Sequence, residues 1–228
     1  MHNKIIMVIA PKRSGKTHKV SQMVAELDCV AAFDMIRDAQ YMEIKTRKNE
    51  EPVILIEGNP AKFARAISRD KEKFKVIYHP AICKMQDNGI VECPEFEPIV
   101  KLCHLRGNMF LVIDEAHMFC NSYNCPPELM MASYVGGHNG FSMILIAQSF
   151  VGIHPVIRRN ADEIYFWRIT EPSDLEVIRK RCGKDVEEAV TKLRAVELDE
   201  DNNFIAPGQM LHWSKYKGIV EITDNEPK

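Results

Sequence analysis

The sequence predicts an α/β fold with a mostly parallel sheet that is covered by helices. Short apolar runs alternate along the chain with segments whose apolar residues recur at helical spacing, which is the order of a doubly wound sheet. The run Met109–Ile113 is apolar at every position, as is typical of a strand buried on both faces. Residues that favour turns and caps separate the segments, such as Asn59-Pro60 before a helix and Gly183 after one.

The length of the chain limits the number of domains, and its charge limits how it could bind nucleic acid. The chain has 228 residues, which suits one domain with a small appendage. We expect a single domain over residues 1–228, with a core at about 4–183 and a strand-rich extension at about 184–228. The 30 Lys and Arg residues nearly balance 32 Asp and Glu residues, for a formal net charge of −2. Binding of nucleic acid would therefore need a local basic patch, or a ring of subunits that gathers several patches.

The strongest motif is residues 10–17, APKRSGKT, which follow the apolar run Ile5–Ile9. Apolar residues from Val20 to Leu27 then recur at helical spacing, so the motif has the strand–loop–helix context of a phosphate-binding P-loop. It meets the pattern GxxxxGK[ST] except at the first position, where Ala10 replaces Gly. The loop tolerates this change if Ala10 does not need a positive φ.

A P-loop binds phosphate because its backbone N–H groups and the helix dipole converge on one anion. We expect Lys16 to reach the β- and γ-phosphates of ATP and Thr17 to place its hydroxyl on Mg²⁺. The predicted nucleotide-binding residues are Lys12, Arg13, Ser14, Gly15, Lys16, Thr17 and His18.

The second motif is Asp114-Glu115, directly after the strand Met109–Ile113. An apolar strand that ends in Asp-Glu is the Walker B pattern. In that pattern Asp114 would help to hold Mg²⁺ and Glu115 would polarise a water for in-line attack on the γ-phosphate. The alternative is an acidic cap after a buried strand.

Further candidates follow the predicted strand Phe141–Ala147. The amide of Gln148 could sense the γ-phosphate or orient the water, although a surface glutamine is the alternative. Arg158 and Arg159 lie beyond a His-Pro break and are candidates for a cation that acts in trans on a neighbour's site, whereas Arg13 is a candidate in cis. Each arginine could instead be a solvated surface residue.

The other segments complete the alternation. Asp34 follows the predicted strand at residues 29–33 and would lie on the ligand-binding edge of the sheet, although a solvated turn aspartate is an equal alternative. Further strands are predicted at 53–56, 74–78 and 164–167, short strands at 198–222, and helices at 60–69, 96–105, 127–135 and 172–181. We expect a loop or short helix at 37–51, a turn or exposed hairpin at 82–94, and a flexible turn at 136–140.

The seven cysteines are an odd number without a CxxC pair, which predicts reduced thiols in a cytoplasmic protein. His117, Cys120 and Cys125 could suggest zinc, but their spacing is irregular and a clear fourth ligand is missing, so ordinary buried thiols are favoured. No apolar run approaches the roughly 20 residues that span a membrane, so we expect no membrane insertion.

Taken together, the motifs resemble the FtsK–HerA superfamily of ring-forming DNA-pumping ATPases, and within it the small genome-packaging and HerA-like ATPases of viruses and phages. The similarity extends from Ile5 to about Gly183. In the family's order, the resemblance implies a glycine turn, a strand ending in Gln148, a short helix, and a strand that runs from Asn160-Ala161-Asp162 to Phe166-Trp167-Arg168. The blocks that carry it are APKRSGKT (10–17), FLVIDEAH (110–117), GGHNGFSMILIAQS (136–149) and IRRNADEIYFWRITEPSDLEVI (157–178).

The resemblance implies a RecA-like (ASCE) P-loop NTPase core, Mg-ATP, a homo-oligomeric ring, double-stranded DNA and a capsid or portal component as partners, in the host cytoplasm or associated with the virion. Three departures stand out: Ala10 in the P-loop, Gly136-Gly137 where relatives often carry a Gly-Arg thought to act in trans, and Gln148-Ser149-Phe150 in place of Gln-Arg-Pro.

The sequence thus predicts a Mg-dependent ATPase that translocates double-stranded DNA during viral genome packaging. Two alternatives stay open: an assembly or secretion ATPase similar to the zonula-occludens-toxin family of filamentous phages, and a nucleotide-dependent switch that does not pump. The Asp-Glu-Ala-His run also resembles superfamily-two helicases, but those need two RecA-like lobes and this chain has room for one.

Overall fold

The computed structural model describes residues 4–37, 52–85, 91–198 and 204–225. Within these ranges the strands, numbered in chain order, are β1 (Ile5–Ile9), β2 (Cys29–Phe33), β3 (Ile54–Glu57), β4 (Phe74–His79), β5 (Lys84–Met85), β6 (Val91–Glu92), β7 (Met109–Ile113), β8 (Phe141–Ala147), β9 (Glu163–Phe166), β10 (Glu197–Leu198), β11 (Phe204–Ala206), β12 (Gly208–Ser214) and β13 (Gly218–Asn225). The α-helices are α1 (Lys16–Ala25), α2 (Pro60–Ala66), α3 (Phe96–Arg106), α4 (Pro127–Val135), α5 (Pro155–Asn160), α6 (Pro172–Cys182) and α7 (Lys184–Lys192).

Nine strands form one sheet in the order β13-β12-β9-β1-β8-β7-β2-β4-β3. The seven strands from β9 to β3 run parallel, which confirms the predicted α/β architecture. β12 and β13 add an antiparallel hairpin at the β9 edge. β8 lies between the P-loop strand β1 and the strand β7 that ends in Asp-Glu. Because the seven strands are parallel, their carboxyl ends meet at one edge, where open α/β sheets bind ligands.

Two apolar clusters cover the two faces of the sheet, because successive strand residues point to opposite sides. Along β1, Ile5, Met7 and Ile9 belong to the larger cluster, together with apolar residues of α2 to α7. Ile6 and Val8 belong to the smaller one, which α1 covers through Val20 and Val24. This packing fixes both ends of the P-loop against the sheet.

Most predicted elements are confirmed to within a few residues, and one helix was missed. α5 is the short helix that the resemblance implies after the Gln148 strand, and it begins after His154, whose Nδ1 accepts the Val156 N–H at 3.3 Å. The region from residue 184 was predicted to be strand-rich, and strands β10 to β13 lie in it, but it begins with α7, where Val186 and Val190 are buried one helical turn apart. The expectation was wrong for residues 184–192 because their i, i+4 apolar spacing was overlooked.

Three shorter predictions have different outcomes. The expected flexible turn at residues 136–140 is a 3-10 turn, Gly136–Asn139, closed by Gly140 at φ 74°. Residues 82–94 contain the predicted hairpin, formed by β5 and β6. The predicted loop or helix at residues 37–51 lies outside the described residues except for Arg37.

The expectation of reduced thiols throughout was wrong for Cys83 and Cys93, which form a disulfide across the β5–β6 hairpin. The hairpin explains the pairing, because its antiparallel strands bring the two Cα atoms to 4.4 Å. The five other cysteines are free, and the sulfurs of Cys120 and Cys125 lie 3.1 Å apart.

Candidate active site

Side chains from three strands converge at the carboxyl edge of the sheet. The P-loop follows β1, Gln148 follows β8 and Asp114-Glu115 follow β7. These strands are consecutive in the sheet, so the order β1-β8-β7 places Gln148 between the two motifs. The sequence alone left a surface position for Gln148 open; in the structure Gln148 is half-buried and contacts Glu115.

The P-loop adopts a conformation that its sequence permits. Its positive φ values fall at Arg13 (60°) and Gly15 (83°), not at Ala10. Ala10 is buried and donates its N–H to the carbonyl of Ala147 at 3.1 Å, so it extends the pairing of β1 with β8. The first P-loop glycine is therefore dispensable here, because no left-handed residue is needed at that position.

The loop presents its functional side chains in two groups. Ser14, Lys16 and Thr17 are buried, and the Ser14 hydroxyl donates to the carbonyl of Pro11 at 2.8 Å. Lys12 and Arg13 are exposed. His18 is half-buried and its ring nitrogen pairs with the Gln22 side chain at 2.9 Å, along the outer surface of α1.

Lys16 and Glu115 join the two motifs. Lys16 Nζ lies 3.7 Å from Glu115 Oε1, and both side chains are about nine-tenths buried. Burial lowers the effective dielectric constant, so this pair interacts more strongly than an exposed one. A lysine and a carboxylate at this distance provide a phosphate-binding cation beside a candidate base.

Glu115 is held by its own backbone and by two neighbours. It adopts a left-handed conformation (φ 47°, ψ 45°), which is costly for a residue other than glycine and recurs at functional sites. Its N–H donates to Asp114 Oδ1 at 2.8 Å. Gln148 Nε2 donates to both carboxylate oxygens, at 3.0 and 3.1 Å, and His117 Nδ1 lies 3.4 Å from Oε2. Hydrogen bonds from Gln148 therefore fix the direction of the carboxylate, and His117 lies beside it.

His117 was considered in the sequence only as a zinc ligand, and the structure places it beside the candidate base. Burial lowers the pKa of His117, the Glu115 carboxylate raises it, and the charges of Lys16 and Lys12 lower it further. Among the described residues, no group of three or more His, Cys, Asp or Glu side chains is arranged to hold a metal ion. The DEAH pattern was the signal that could have indicated this position.

The predicted magnesium ligands suit that ion chemically. Thr17 offers a hydroxyl and Asp114 a carboxylate, and Mg²⁺ prefers oxygen ligands and usually completes its shell with phosphate and water. Both residues are buried, and each is adjacent in sequence to a member of the Lys16–Glu115 pair.

The two candidate arginines differ in exposure. Arg158 is buried, with its guanidinium 5.6 Å from the ring of Phe150 in its own chain. Burial lowers the pKa of Arg158 and the Asp174 carboxylate raises it. Arg159 is exposed at the end of α5. Arg158 therefore packs inside its own chain, and Arg159 is the exposed one of the two candidates for a cation that acts in trans.

Asp174 was missed in the sequence, although it lies at the start of α6 and is 4% exposed. Its Oδ1 accepts the Ser149 hydroxyl at 2.9 Å and the Val151 N–H at 2.6 Å. Both donors belong to the turn that directly follows Gln148. A buried carboxylate thus fixes the turn that positions Gln148, and only its place near a helix start could have indicated it.

Asp34 is also buried, so it is not the solvated turn aspartate that the sequence left open as an alternative. It follows β2 and accepts the Arg37 N–H at 2.8 Å, and His79 Nε2 at the end of β4 lies 3.2 Å away. Asp34 therefore joins β2 to β4 at the functional edge.

No protein-family model matches the sequence, and no curated protein matches it. Solved structures do match. The genome packaging NTPase B204 from Sulfolobus turreted icosahedral virus 2, in complex with sulfate, is 18% identical with a TM-score of 0.70, over 100% of this chain and 98% of that chain. The DNA-packaging ATPase B204 from Sulfolobus turreted icosahedral virus is 20% identical with a TM-score of 0.68, over the whole of both chains.

A weaker match is the N-terminal domain of zonular occludens toxin from Neisseria meningitidis, which is 10% identical with a TM-score of 0.47, over 100% of this chain and 96% of that domain. That score is too low to support the secretion alternative. The chain therefore has the fold of the B204 packaging NTPases, which confirms the predicted fold class.

Proposed function

We propose that this chain is a Mg-dependent ATPase that translocates double-stranded DNA during viral genome packaging. The observation that carries the proposal is that Glu115 lies beside the P-loop, 3.7 Å from Lys16 and 3.0–3.1 Å from Gln148. The shared fold with the B204 packaging NTPases supports it. The same cluster favours hydrolysis over a pure switch, because a switch does not need a positioned base.

Each residue has a distinct role in the proposed reaction. The P-loop N–H groups and Lys16 bind the β- and γ-phosphates. Glu115 accepts a proton from the attacking water. Gln148 holds that carboxylate and couples the presence of the γ-phosphate to the conformation of the turn at Ser149. Mg²⁺, held by Thr17 and Asp114, would neutralise charge on the phosphates. Lys16 must exchange its contact with Glu115 for phosphate, which leaves the carboxylate free to bind water.

Oligomeric action is the second part of the proposal. A chain with a net charge of −2 has no strong field of its own for DNA, and a ring sums the contacts of several subunits. Arg159 is the exposed candidate for a cation that enters a neighbour's site, while Arg13 is the candidate in cis. We place such a ring at a capsid or its portal, in the host cytoplasm. No helix within the described ranges is long and apolar enough to cross a membrane.

The ATPase rate with and without double-stranded DNA tests the proposed motor. We expect DNA to stimulate the wild-type rate and to leave the Glu115→Gln protein slow. An ATPase rate that is the same with and without DNA would contradict the proposed translocase. ATP binding without hydrolysis would favour the nucleotide-dependent switch.

Mixing of variants tests the role of Arg159. Glu115→Gln and Arg159→Ala subunits should each be slow alone. A mixed ring contains sites that pair an intact Glu115 with a neighbour's intact Arg159, so the rate should partly recover. Arg65→Ala, another exposed arginine near a helix end, is the control and should be active alone. A mixture that stays inactive, with mixed rings shown to form, would move the role to Arg13.

A further inference from the structure

The β12–β13 hairpin turns at an exposed basic segment, Lys215-Tyr216-Lys217, which we call the hairpin tip. β12 runs antiparallel to β9, with Ser214 opposite Glu163, so the tip lies at the amino edge of the sheet. The P-loop lies at the opposite, carboxyl edge. The seven residues of β12 span the distance between the edges, about 20 Å at about 3.4 Å per residue. The tip can therefore contact a partner without entering the nucleotide site.

The hairpin tip carries two positive charges that the chain leaves available. Lys215 and Lys217 are exposed, and among the described residues neither ammonium group forms an ion pair. The carboxylates at the start of β9 have other partners, because Glu163 pairs with Lys4 and Asp162 Oδ2 accepts the Ile5 N–H at 2.9 Å. The tip is therefore a local basic patch of the kind that a chain with a net charge of −2 needs to bind a polyanion.

Backbone hydrogen bonds hold the tip in one position. The Lys215 N–H donates to the Asp162 carbonyl at 2.8 Å, and the Lys217 N–H donates to the Ser214 carbonyl at 3.2 Å. Gly218 follows at φ 71°, a left-handed conformation that glycine adopts without strain. Both lysines thus extend from an ordered backbone, so a partner that binds them has less chain to order than on a free loop.

Tyr216 lies between the two lysines and is 82% exposed. Lys215 Nζ lies 5.8 Å from the centre of its ring. An aromatic residue this exposed adds nothing to the core, but its hydroxyl can donate to a phosphate oxygen, as tyrosines do in protein–DNA complexes. Two ammonium groups and a hydroxyl on one turn match a ligand with closely spaced negative charges and hydrogen-bond acceptors.

We propose that the hairpin tip contacts the phosphate backbone of double-stranded DNA, an inference that rests on the proposed function. Two lysines give a weak contact in one subunit, but the proposed ring presents the tip once per subunit, and phosphate contacts add along the duplex. An anionic membrane surface could also attract two lysines. DNA is favoured because membrane binding depends on buried apolar area as well as charge, and the tip itself offers one aromatic ring.

The test measures binding of the full chain to a short fluorescent duplex by anisotropy at several salt concentrations. Replacement of both tip lysines, Lys215→Gln with Lys217→Gln, should weaken binding about tenfold or more at low salt. It should also reduce the slope of log K against log salt by about 2 for each bound tip, since each phosphate contact contributes about 0.9. Tyr216→Phe keeps the ring and removes the hydroxyl, so we expect a smaller loss of about twofold to fivefold.

The matched control replaces two exposed lysines elsewhere, Lys62 on α2 and Lys192 on α7, by glutamine. The net charge changes by the same amount as in the double tip variant, but no charge is removed from the tip. Both the affinity for the duplex and the salt slope should stay close to those of the wild type. Thermal unfolding checks that each variant is folded, and all the replaced side chains are exposed.

The outcomes separate this inference from the proposed translocase. Wild-type protein that does not bind the duplex would overturn the translocase and this inference with it. Unchanged affinity and salt slope in the double tip variant would overturn the tip as the contact and leave the translocase intact. Equal losses in the tip and control variants would also overturn it, because net charge alone would explain them. A tip variant that loses binding to phosphatidylserine vesicles and keeps binding to DNA would assign the tip to a membrane instead.

Discussion

The P-loop has two sides that are built differently. On the β8 and β7 side, Lys16, Gln148 and Glu115 are linked by contacts of 3.0–3.7 Å in a largely buried cluster. On the β9 side lies an open cavity lined by cations and apolar surface, whose outer wall is supported by the β12–β13 hairpin. The first side holds its side chains in mutual contact, whereas the second offers space and charge. Changes on the two sides should therefore affect the proposed hydrolysis to different degrees.

The largest effect should come from Lys16, on the β8 and β7 side of the P-loop. Lys16→Ala should abolish nucleotide binding, because it removes the charge that pairs with the β- and γ-phosphates. Calorimetry with ATP and Mg²⁺ would measure it. Lys19→Ala removes a half-buried lysine one turn later in α1 and is the control. Unchanged ATP affinity in folded Lys16→Ala protein would show that Lys16 is not part of the nucleotide-binding site.

Glu115→Gln should slow hydrolysis about 10²-fold or more and leave ATP binding intact, since a general base contributes roughly 10²–10⁴. Glutamine keeps the size of the side chain and removes the charge that faces Lys16 at 3.7 Å in this structure. We expect ATP affinity to rise slightly for that reason, and single-turnover kinetics would separate binding from chemistry. Hydrolysis at the wild-type rate would make Glu115 a structural residue.

The sequence predicted one side of the P-loop far better than the other. Lys16, Thr17, Asp114 and Glu115 stand in contiguous motifs after apolar strands, so their spacing alone indicates where the sheet places them. The lining residue Arg194 has no motif, because its position depends on a hairpin that pairs 15 and 30 residues further along, at Gln209 and Asp224. Arg158 and Arg159 show the same limit, since burial of only one of two adjacent arginines depends on how α5 packs.

A smaller effect on the hydrolytic side should follow from Asp174, which we treat as a positioning residue. Asp174→Ala removes the acceptor for Ser149 and Val151 and should lower kcat about tenfold to hundredfold with KM little changed, because Gln148 is misplaced. Asp174→Asn keeps an acceptor oxygen and should recover most of kcat.

The control for this change is Asp162→Ala. Asp162 Oδ2 accepts the Ile5 N–H at 2.9 Å, at the amino end of the sheet, so its loss removes a comparable bond far from Gln148. It should lower stability and leave kcat unchanged. Equal losses of kcat in both alanine variants would show that Asp174 acts only through stability.

The smallest effect concerns how the cavity side is attached to the sheet. Glu163 on β9 pairs with Lys4 before β1 and lies 3.5 Å from His212 Nε2 on β12. The contacts with His212 and then with Lys4 lower the pKa of Glu163 to about 2, against the opposing effect of burial. A carboxylate with a lowered pKa stabilises the fold above its ordinary pKa of 4.5, and this contribution is lost as the pH falls towards 2.

Glu163→Gln should therefore lower the free energy of unfolding by about 1–2 kcal/mol at pH 7, a value reduced by partial solvent exposure. This loss should shrink as the pH falls towards 2. Urea unfolding at several pH values measures it, and a cost independent of pH would show that charge is not its source.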